Sequence, residues 1–171
     1  GQIGGRGASL MLGYFDDQQA TEDSFNRDGW FMTGDLGWMD EAGYLRVTGR
    51  KKDVIIRGGH NIYPARIEAL AAQHPAVDKV VAFPVPDPRL GEKVGLAVVL
   101  RPGQPLSDDD LLGHLDAVGL SKYDMPEFMI DLEALPLTAS GKILKRELTD
   151  RVNAGTLKPR AVRYKAKTGT S

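Results

Sequence analysis

Cysteine is absent from the 171 residues, which excludes a disulfide framework, a thiolate metal site and a cysteine nucleophile, and fits a reducing compartment. Histidine is scarce. His60, His74 and His114 are too scattered for a metal cluster, so no metal site is expected and each reads as a surface or packing residue. Excess charge is missing as well: 22 Lys plus Arg stand against 23 Asp plus Glu, a net charge of −1, so no overall field recruits nucleic acid or an anionic membrane. No apolar run approaches the roughly 20 residues of a membrane helix. The opening Gly1–Gly7 run carries no signal-peptide core, so a cytoplasmic protein without a membrane span is expected. With no Met at its start and a glycine-rich opening, the chain reads as a fragment of something longer. What remains is 42% hydrophobic, enough to bury a core.

Punctuation changes along the chain. In the first fifty residues, short apolar runs at 9–15, 29–32, 35–39 and 44–47 are broken by Gly and Asp every eight to twelve residues, which predicts strands and turns rather than helices. Asp40-Glu41-Ala42-Gly43 is the expected hairpin turn. The cationic break Gly49-Arg50-Lys51-Lys52-Asp53 is of the kind that joins domains. Beyond it, Val54-Ile55-Ile56 predicts a strand entering a turn, and Pro64 stands where a first helical residue is pre-organised. Ile67, Leu70 and Ala71 give that helix one apolar face before His74-Pro75 stops it. Segments 77–83 and 94–100 are β-rich and suit antiparallel partners. Ser107 and Asp110 resemble a capping box ahead of the stripe Leu111, Leu112, Leu115, Val118. A third strand is expected over 128–132 and a last helix over 143–152, with Ser140-Gly141 marking its start. The basic tail 158–171 is expected to be flexible. Mixed strands and helices without strict alternation predict an α+β fold, an antiparallel sheet flanked by helices.

Three segments carry chemistry. In Trp30-Phe31-Met32-Thr33-Gly34-Asp35-Leu36-Gly37 a turn presents one carboxylate: Asp35 either accepts hydrogen bonds from vicinal ribose hydroxyls or closes the turn on its own backbone. In Gly49 to Pro64, Arg50 suits a phosphate or ribose, and Gly58-Gly59 leave room for a ligand along the backbone; a solvated charge run and a plain hairpin are the alternative. In Leu135-Pro136-Leu137-Thr138-Ala139-Ser140-Gly141-Lys142, a Lys in a first helical turn opposes the helix dipole unless an anion comes to it. A phosphate-cradling P-loop is excluded, since Pro136 replaces its first Gly and Ile143 its Ser or Thr.

Taken in order and at these separations, from Gly13-Tyr14-Phe15 through Arg146, the three segments resemble the closing signature of the acyl-adenylate-forming superfamily: acyl-CoA synthetases, peptide-synthetase adenylation domains and beetle luciferases. The resemblance implies residues 1–50 as the tail end of a large N-terminal adenylating domain made of short β segments, 51–157 as a small mobile C-terminal domain, and 158–171 as a tail. It implies Asp35 at the ATP ribose, Arg50 at ribose or phosphate, and Lys52 as the hinge. Gly58 and Gly59 would line the pantetheine tunnel, and Lys142 would bridge the acid's carboxylate and ATP as the catalytic residue. ATP, Mg2+ and CoA are the implied co-substrates, with a carboxylic acid held by the N-terminal domain that this chain lacks. The stretch 49–64 is similar to the acyl-CoA ligase branch, and within it to ligases of medium-chain and alicyclic acids such as cyclohexanecarboxylate. One departure stands out. Where many relatives read Tyr-Lys-x-Pro, this chain has Tyr123-Asp124-Met125-Pro126-Glu127, with acids in place of a base suited to the CoA phosphates.

Three functions follow from these residues. The first is the C-terminal part of an AMP-forming acid–CoA ligase, nearly inactive as an isolated chain. The second is the end of an adenylation domain that loads a carrier protein, and the third a non-catalytic binding module on the same fold. Residues 1–50, with exposed strands, either pack irregularly or pair with a second copy as a homodimer.

Overall fold

The computed structural model describes residues 1–165. The chain divides into two compact units, one from Gly1 to Val54 and one from Ile55 onward.

The first unit is a three-stranded antiparallel sheet, β1 (Gln2–Gly5), β2 (Phe31–Met39) and β3 (Leu45–Arg50), in the order β1-β2-β3. The expected turn at Asp40–Gly43 forms: Gly43 N–H donates to the Asp40 carbonyl at 3.0 Å, and the Asp40 carboxylate accepts from Tyr44 N–H at 2.8 Å. Before β2, however, residues expected to be strand and turn hold a helix, α1 (Gln18–Ser24), with the Asp17 side chain capping it by accepting from Ala20 N–H at 2.8 Å. The helix buries no residue, so it has no apolar periodicity to give it away. The unit ends in one 3-10 turn, Lys51–Asp53, at the place read as the cationic break.

The second unit is built on a six-stranded sheet. Its strands are β4 (Ile55–Arg57), β5 (His60–Ile62), β6 (Val77–Asp87), β7 (Gly91–Leu100), β8 (Phe128–Asp131) and β9 (Arg160–Ala161). Strand β7 is central. It pairs with β6 along its whole length, from Val77↔Leu100 to Asp87↔Gly91, and on its other edge with β8 and, at Gly91, with β4. Three helices cover the faces: α2 (Pro64–Ala71), α3 (Asp108–Ala117) and α4 (Lys145–Asn153).

The long β6–β7 hairpin is antiparallel as expected, but β8 joins β7 in parallel, so the sheet is mixed. The cause is the connection. Helix α3 carries the chain back to the starting end of β7, and a helical crossover delivers a parallel neighbour. Ser107 caps α3, its Oγ accepting from Asp110 N–H at 3.1 Å and donating to the Asp110 carboxylate at 2.6 Å. Pro64 is the first residue of α2, where its missing N–H costs nothing.

Two cores lie on opposite faces of the sheet. Val94, Leu96 and Val98 of β7 pack with Ile67 and Ala71 of α2 and Leu111, Leu112 and Leu115 of α3. Ala97 and Val99, pointing the other way, pack with Phe83, Val85, Leu135 and Leu148 of α4. This is why 94–99 reads as an unbroken apolar run rather than an alternating one. The segment from 158 also departs from a loose tail: β9 pairs with β8, and Arg160 grips Asp108 (Nε to Oδ2 at 2.8 Å) and Asp131 (Nη1 to Oδ2 at 2.9 Å). Those two carboxylates hold the Arg160 guanidinium above its ordinary range. Residues 166–171 of that tail lie outside the described residues.

Gly95 sits under the fully buried Phe83 ring, and a Cβ there would come within 2.8 Å of Phe83 Cζ and 2.6 Å of Val85 Cγ2. Gly95→Ala should therefore lower the stability of this chain in urea denaturation by about 1–3 kcal/mol through overpacking, while Gly113→Ala, where a Cβ meets nothing within 4 Å, should not lower it.

Candidate functional site

The first cluster lies within the first unit. Asp35 on β2 and Arg50 on β3 are direct cross-strand partners, and Arg50 Nε donates to Asp35 Oδ1 at 3.0 Å. Just past the carboxylate the register shifts between Leu36 and Gly37, with Thr48 of β3 as the extra, bulged residue. The turn expected here is not formed, since Phe31–Met39 runs as one strand; Thr33 within it accepts from Asp35 N–H at 3.1 Å and donates to the Ile3 carbonyl at 3.0 Å. Asp35 Oδ2 accepts no hydrogen bond among the described residues, and about a third of the Asp35 side chain is open to solvent. Of the two readings of Asp35, the turn-closing one needs a bond from the carboxylate to its own backbone. The carboxylate instead meets Arg50, so the two predicted residues form one polar patch with a spare acceptor and a partly exposed cation. Lys52 falls in the 3-10 turn that follows, exposed to solvent.

The second cluster is the β4–β5 hairpin of the second unit. Ile55 and Ile62 pair across it and are buried, while Arg57-Gly58-Gly59-His60 form its turn. Gly58 and Gly59 have φ of 57° and 87°, so both stand in the left-handed region where a side chain is strained. Arg57 makes a two-point pair with Glu127, Nε to Oε2 at 2.7 Å and Nη2 to Oε1 at 3.2 Å, and this bond raises the guanidinium above its ordinary pKa. His60 Nε2 lies 2.9 Å from Asp124 Oδ1, with its ring edge-on to Tyr123. His60 is thus tied to a carboxylate rather than idle on the surface, and the two acids of the departing motif are both engaged. Beside the hairpin opens a cleft of about 480 Å³ lined by Arg57, Lys93, Lys122, Tyr123, Glu127 and Arg163 among others. Lys93 is held by Asp87 at 2.7 Å, a contact that, with the Leu90 and Arg89 N–H groups, lowers the Asp87 carboxyl to about 2.

Lys142 stands elsewhere in its local structure than the sequence suggests. Helix α4 begins at Lys145, not at residue 143, and its N-cap is Leu144 with no side-chain cap. Residues 137–143 instead form a small loop closed by the Leu137↔Ile143 bridge, with a turn at its tip in which Gly141 N–H donates to the Thr138 carbonyl at 2.9 Å. Thr138 N–H donates to the Lys142 carbonyl at 2.7 Å, Lys142 N–H to Thr138 Oγ1 at 2.9 Å, and Leu144 N–H to the Pro136 carbonyl at 2.9 Å. Opposition to the helix dipole is therefore not what sets the ammonium's environment. Instead a hydrogen-bonded turn presents an exposed lysine whose Nζ makes no hydrogen bond or ion pair among the described residues. The backbone is fixed and the charge is open.

What fixes that turn to the sheet was not visible in the motif. Glu68 on α2 accepts from Lys145 Nζ at 2.6 Å and from Ala82 N–H at 2.8 Å through the same oxygen. One carboxylate thereby joins α2, the outer edge of β6 and the first residue of α4. The glutamate stands beside Ile67 on the helix, but nothing local announces a partner 77 residues away. Among the described residues of the second unit, Lys142 makes no hydrogen bond to Gly58 or Gly59; within the first unit the structure joins Asp35 with Arg50, and within the second Gly58 with Gly59. Among the described residues no three His, Asp or Glu converge on a candidate metal site. No helix of the described residues is long and apolar enough to cross a membrane.

Residues 66–142, from within α2 to the exposed lysine, match the AMP-binding enzyme C-terminal domain. That stretch is similar to the C-terminal domain of AMP-binding enzymes. Its relatives agree. The chain is 43% identical over 151 residues to a putative acyl-CoA synthetase, YngI, of Bacillus subtilis, an overlap covering 88% of this chain and 27% of that protein. It is 40% identical over 146 residues to the medium-chain fatty-acid–CoA ligase of Escherichia coli, covering 85% of this chain and 26% of that one. Among solved structures, the o-succinylbenzoate CoA synthetase MenE of Bacillus subtilis, in complex with its acyl-adenylate intermediate OSB-AMP, superposes with a TM-score of 0.81 at 38% identity. That match covers 88% of this chain and 30% of MenE. The chain thus spans about a quarter of the length of the curated relatives it matches.

Glu68→Ala leaves Lys145 and the Ala82 N–H without their acceptor, and should cost about 2 kcal/mol, the scale of hydrogen bonds to a charged group. In hydrogen exchange, amides of α4 should lose more protection than those of α3. Glu68→Gln, which keeps an acceptor for Ala82, should cost less than Glu68→Ala.

Proposed function

We propose that the chain is the C-terminal part of an ATP-dependent, AMP-forming acid–CoA ligase. The observation that carries this reading is Lys142, an ammonium with no partner among the described residues, on a hydrogen-bonded turn at the end of the stretch that matches the AMP-binding enzyme C-terminal domain. In the first half-reaction a carboxylate oxygen attacks the α-phosphorus of ATP and the bond to pyrophosphate breaks, leaving acyl-AMP. Two anions must meet, and a fixed ammonium lowers their repulsion where charge develops. Lys142 takes that role. Magnesium enters with ATP as part of the substrate.

Asp35 and Arg50 form the nucleotide-facing patch of the first unit, Oδ2 of Asp35 accepting from a ribose hydroxyl and Arg50 facing ribose or phosphate. Residues up to about 50 are the closing strands of the large adenylating domain. Exposed Met39, Leu45 and Val47 share one face of this sheet and Trp38 lies on the other, surfaces that the rest of that domain covers, or that a second copy covers in the isolated chain. Lys52, in its 3-10 turn, is the hinge about which the second unit swings between half-reactions.

In the second half-reaction the thiol sulfur of CoA attacks the acyl carbon, its proton is lost, and the bond from acyl carbon to AMP oxygen breaks. Gly58 and Gly59 line the path of the pantetheine arm, since their left-handed backbone has no side chain to fill it. Lys122 and Arg163 in the neighbouring cleft supply positive charge for the CoA phosphates that Asp124 and Glu127 do not. The names of the relatives favour CoA over a carrier protein as acceptor and a medium-chain acid as substrate. The cysteine-free composition accords with a cytoplasmic enzyme.

In the complete enzyme, Lys142→Ala should abolish acid-dependent pyrophosphate exchange while thioester formation from supplied acyl-AMP continues. Exchange at near wild-type rate would remove Lys142 from the chemistry. Thioester formation lost to the same extent would make it a general structural residue instead.

A further inference from the structure

The β4–β5 hairpin has little ladder to hold it. Its strands are three residues each, β5 is an edge strand, and β4 touches β7 in register only at Arg57↔Gly91. One backbone bond, Gly58 N–H to the Leu90 carbonyl at 2.8 Å, anchors the turn itself. Glu92 Oε2 adds an acceptor for Ile56 N–H at 2.7 Å. Against this sparse framework stand two side-chain pairs, one on each side of the paired glycines. Arg57 is bound at two points by Glu127, and His60 is bound by Asp124. Both acids belong to the short segment Tyr123–Glu127 that leads into β8. Arg57 and Glu127 are each a little over one-quarter exposed and Asp124 less than one-fifth, so water competes weakly for those groups, while His60 is about half exposed and its pair is the more open of the two.

We propose that Arg57–Glu127 and His60–Asp124 are positioning pairs that hold the Gly58-Gly59 turn against the segment before β8, and so set the path of the thiol in the second half-reaction. The acids that replace a basic residue in the Tyr123–Glu127 segment are then a brace for the glycine turn, not a vacancy in a phosphate site. This rests on the reading that Gly58 and Gly59 line the pantetheine path.

The test uses the complete enzyme with the two half-reactions measured apart, acid-dependent pyrophosphate exchange and thioester formation from purified acyl-AMP with CoA varied. Asp124→Asn and Glu127→Gln keep the shape and remove the charge. In the double variant, kcat of thioester formation should fall about tenfold or more, the scale on which a displaced positioning element acts, with exchange within about twofold of wild type. The exchanged pair Arg57→Glu with Glu127→Arg should recover part of that kcat relative to Glu127→Arg alone. Charge acting only on CoA phosphates predicts the opposite, a lower KM for CoA with unchanged kcat, and that result overturns the brace. Parallel loss of both half-reactions, together with a lowered melting temperature, also overturns it. Gly59→Val separates the premise from the proposal. If it stops thioester formation while the acid variants leave kcat unchanged, the glycine path stands and the brace falls. If Gly59→Val leaves thioester formation intact, the glycine path fails and the proposal with it.

Discussion

Strand β7 is buried on both faces and hydrogen-bonded on both edges, and the second unit is organised by that double burial. Val94, Leu96 and Val98 face α2 and α3, while Ala97 and Val99 face α4, so one strand supplies the floor of two cores. Burying a side chain of this size contributes about 1.5–3 kcal/mol, and β7 contributes to both faces at once. The same constraint demands Gly95, where the Phe83 ring leaves no room for a Cβ. Ile55 and Ile62 of the glycine hairpin are buried in the first core, but the exposed Gly58, Gly59 and Lys142 contribute little to it.

They are instead attached to it by side-chain carboxylates. The Lys142 turn is joined through Lys145 to Glu68, with Leu148 of α4 buried in the second core behind it. The glycine hairpin is joined through Arg57 and His60 to Glu127 and Asp124. Both attachments are short, charge-assisted bonds between half-buried groups, which hold geometry more tightly than the exposed i,i+4 pairs of α4 at 3.7 and 4.0 Å. On the proposed function, in which this unit presents different faces to one active site, such an arrangement is what the mechanism requires. The core gives rigidity, and each face carries its own small, separately held device.

Much of this was legible from local chemistry. Pro64 and Ser107 marked helix starts because a missing N–H and a hydroxyl acceptor act within one turn. Asp40–Gly43 marked its hairpin for the same reason. The glycine pair and the lysine were found as motifs, although the lysine was assigned to a helix that begins three residues later, since Leu144 gives no capping signal. Helix α1 stayed hidden because it buries nothing. The parallel pairing of β8, the tie of Arg160 to Asp108 and Asp131, and the pairs Arg57–Glu127 and Glu68–Lys145 were illegible for a different reason. They join residues 29 to 77 positions apart, and no local pattern encodes which distant partner a charge will meet. In sequence the acids at 124 and 127 are a departure from a binding motif; in the structure they are the partners of His60 and Arg57.

The central claim is that the second unit presents the Lys142 turn in one half-reaction and the Gly58-Gly59 hairpin in the other. A cysteine-free segment makes this directly measurable, because thiols introduced as Ala139→Cys and Asn61→Cys can be labelled one at a time in the complete enzyme and followed by mass spectrometry. With ATP and the acid bound, the thiol at position 139 should be protected and that at 61 open. With a non-hydrolysable acyl-AMP analogue and CoA, the two should exchange. Labelling of both positions that stays the same in the two states would contradict the account.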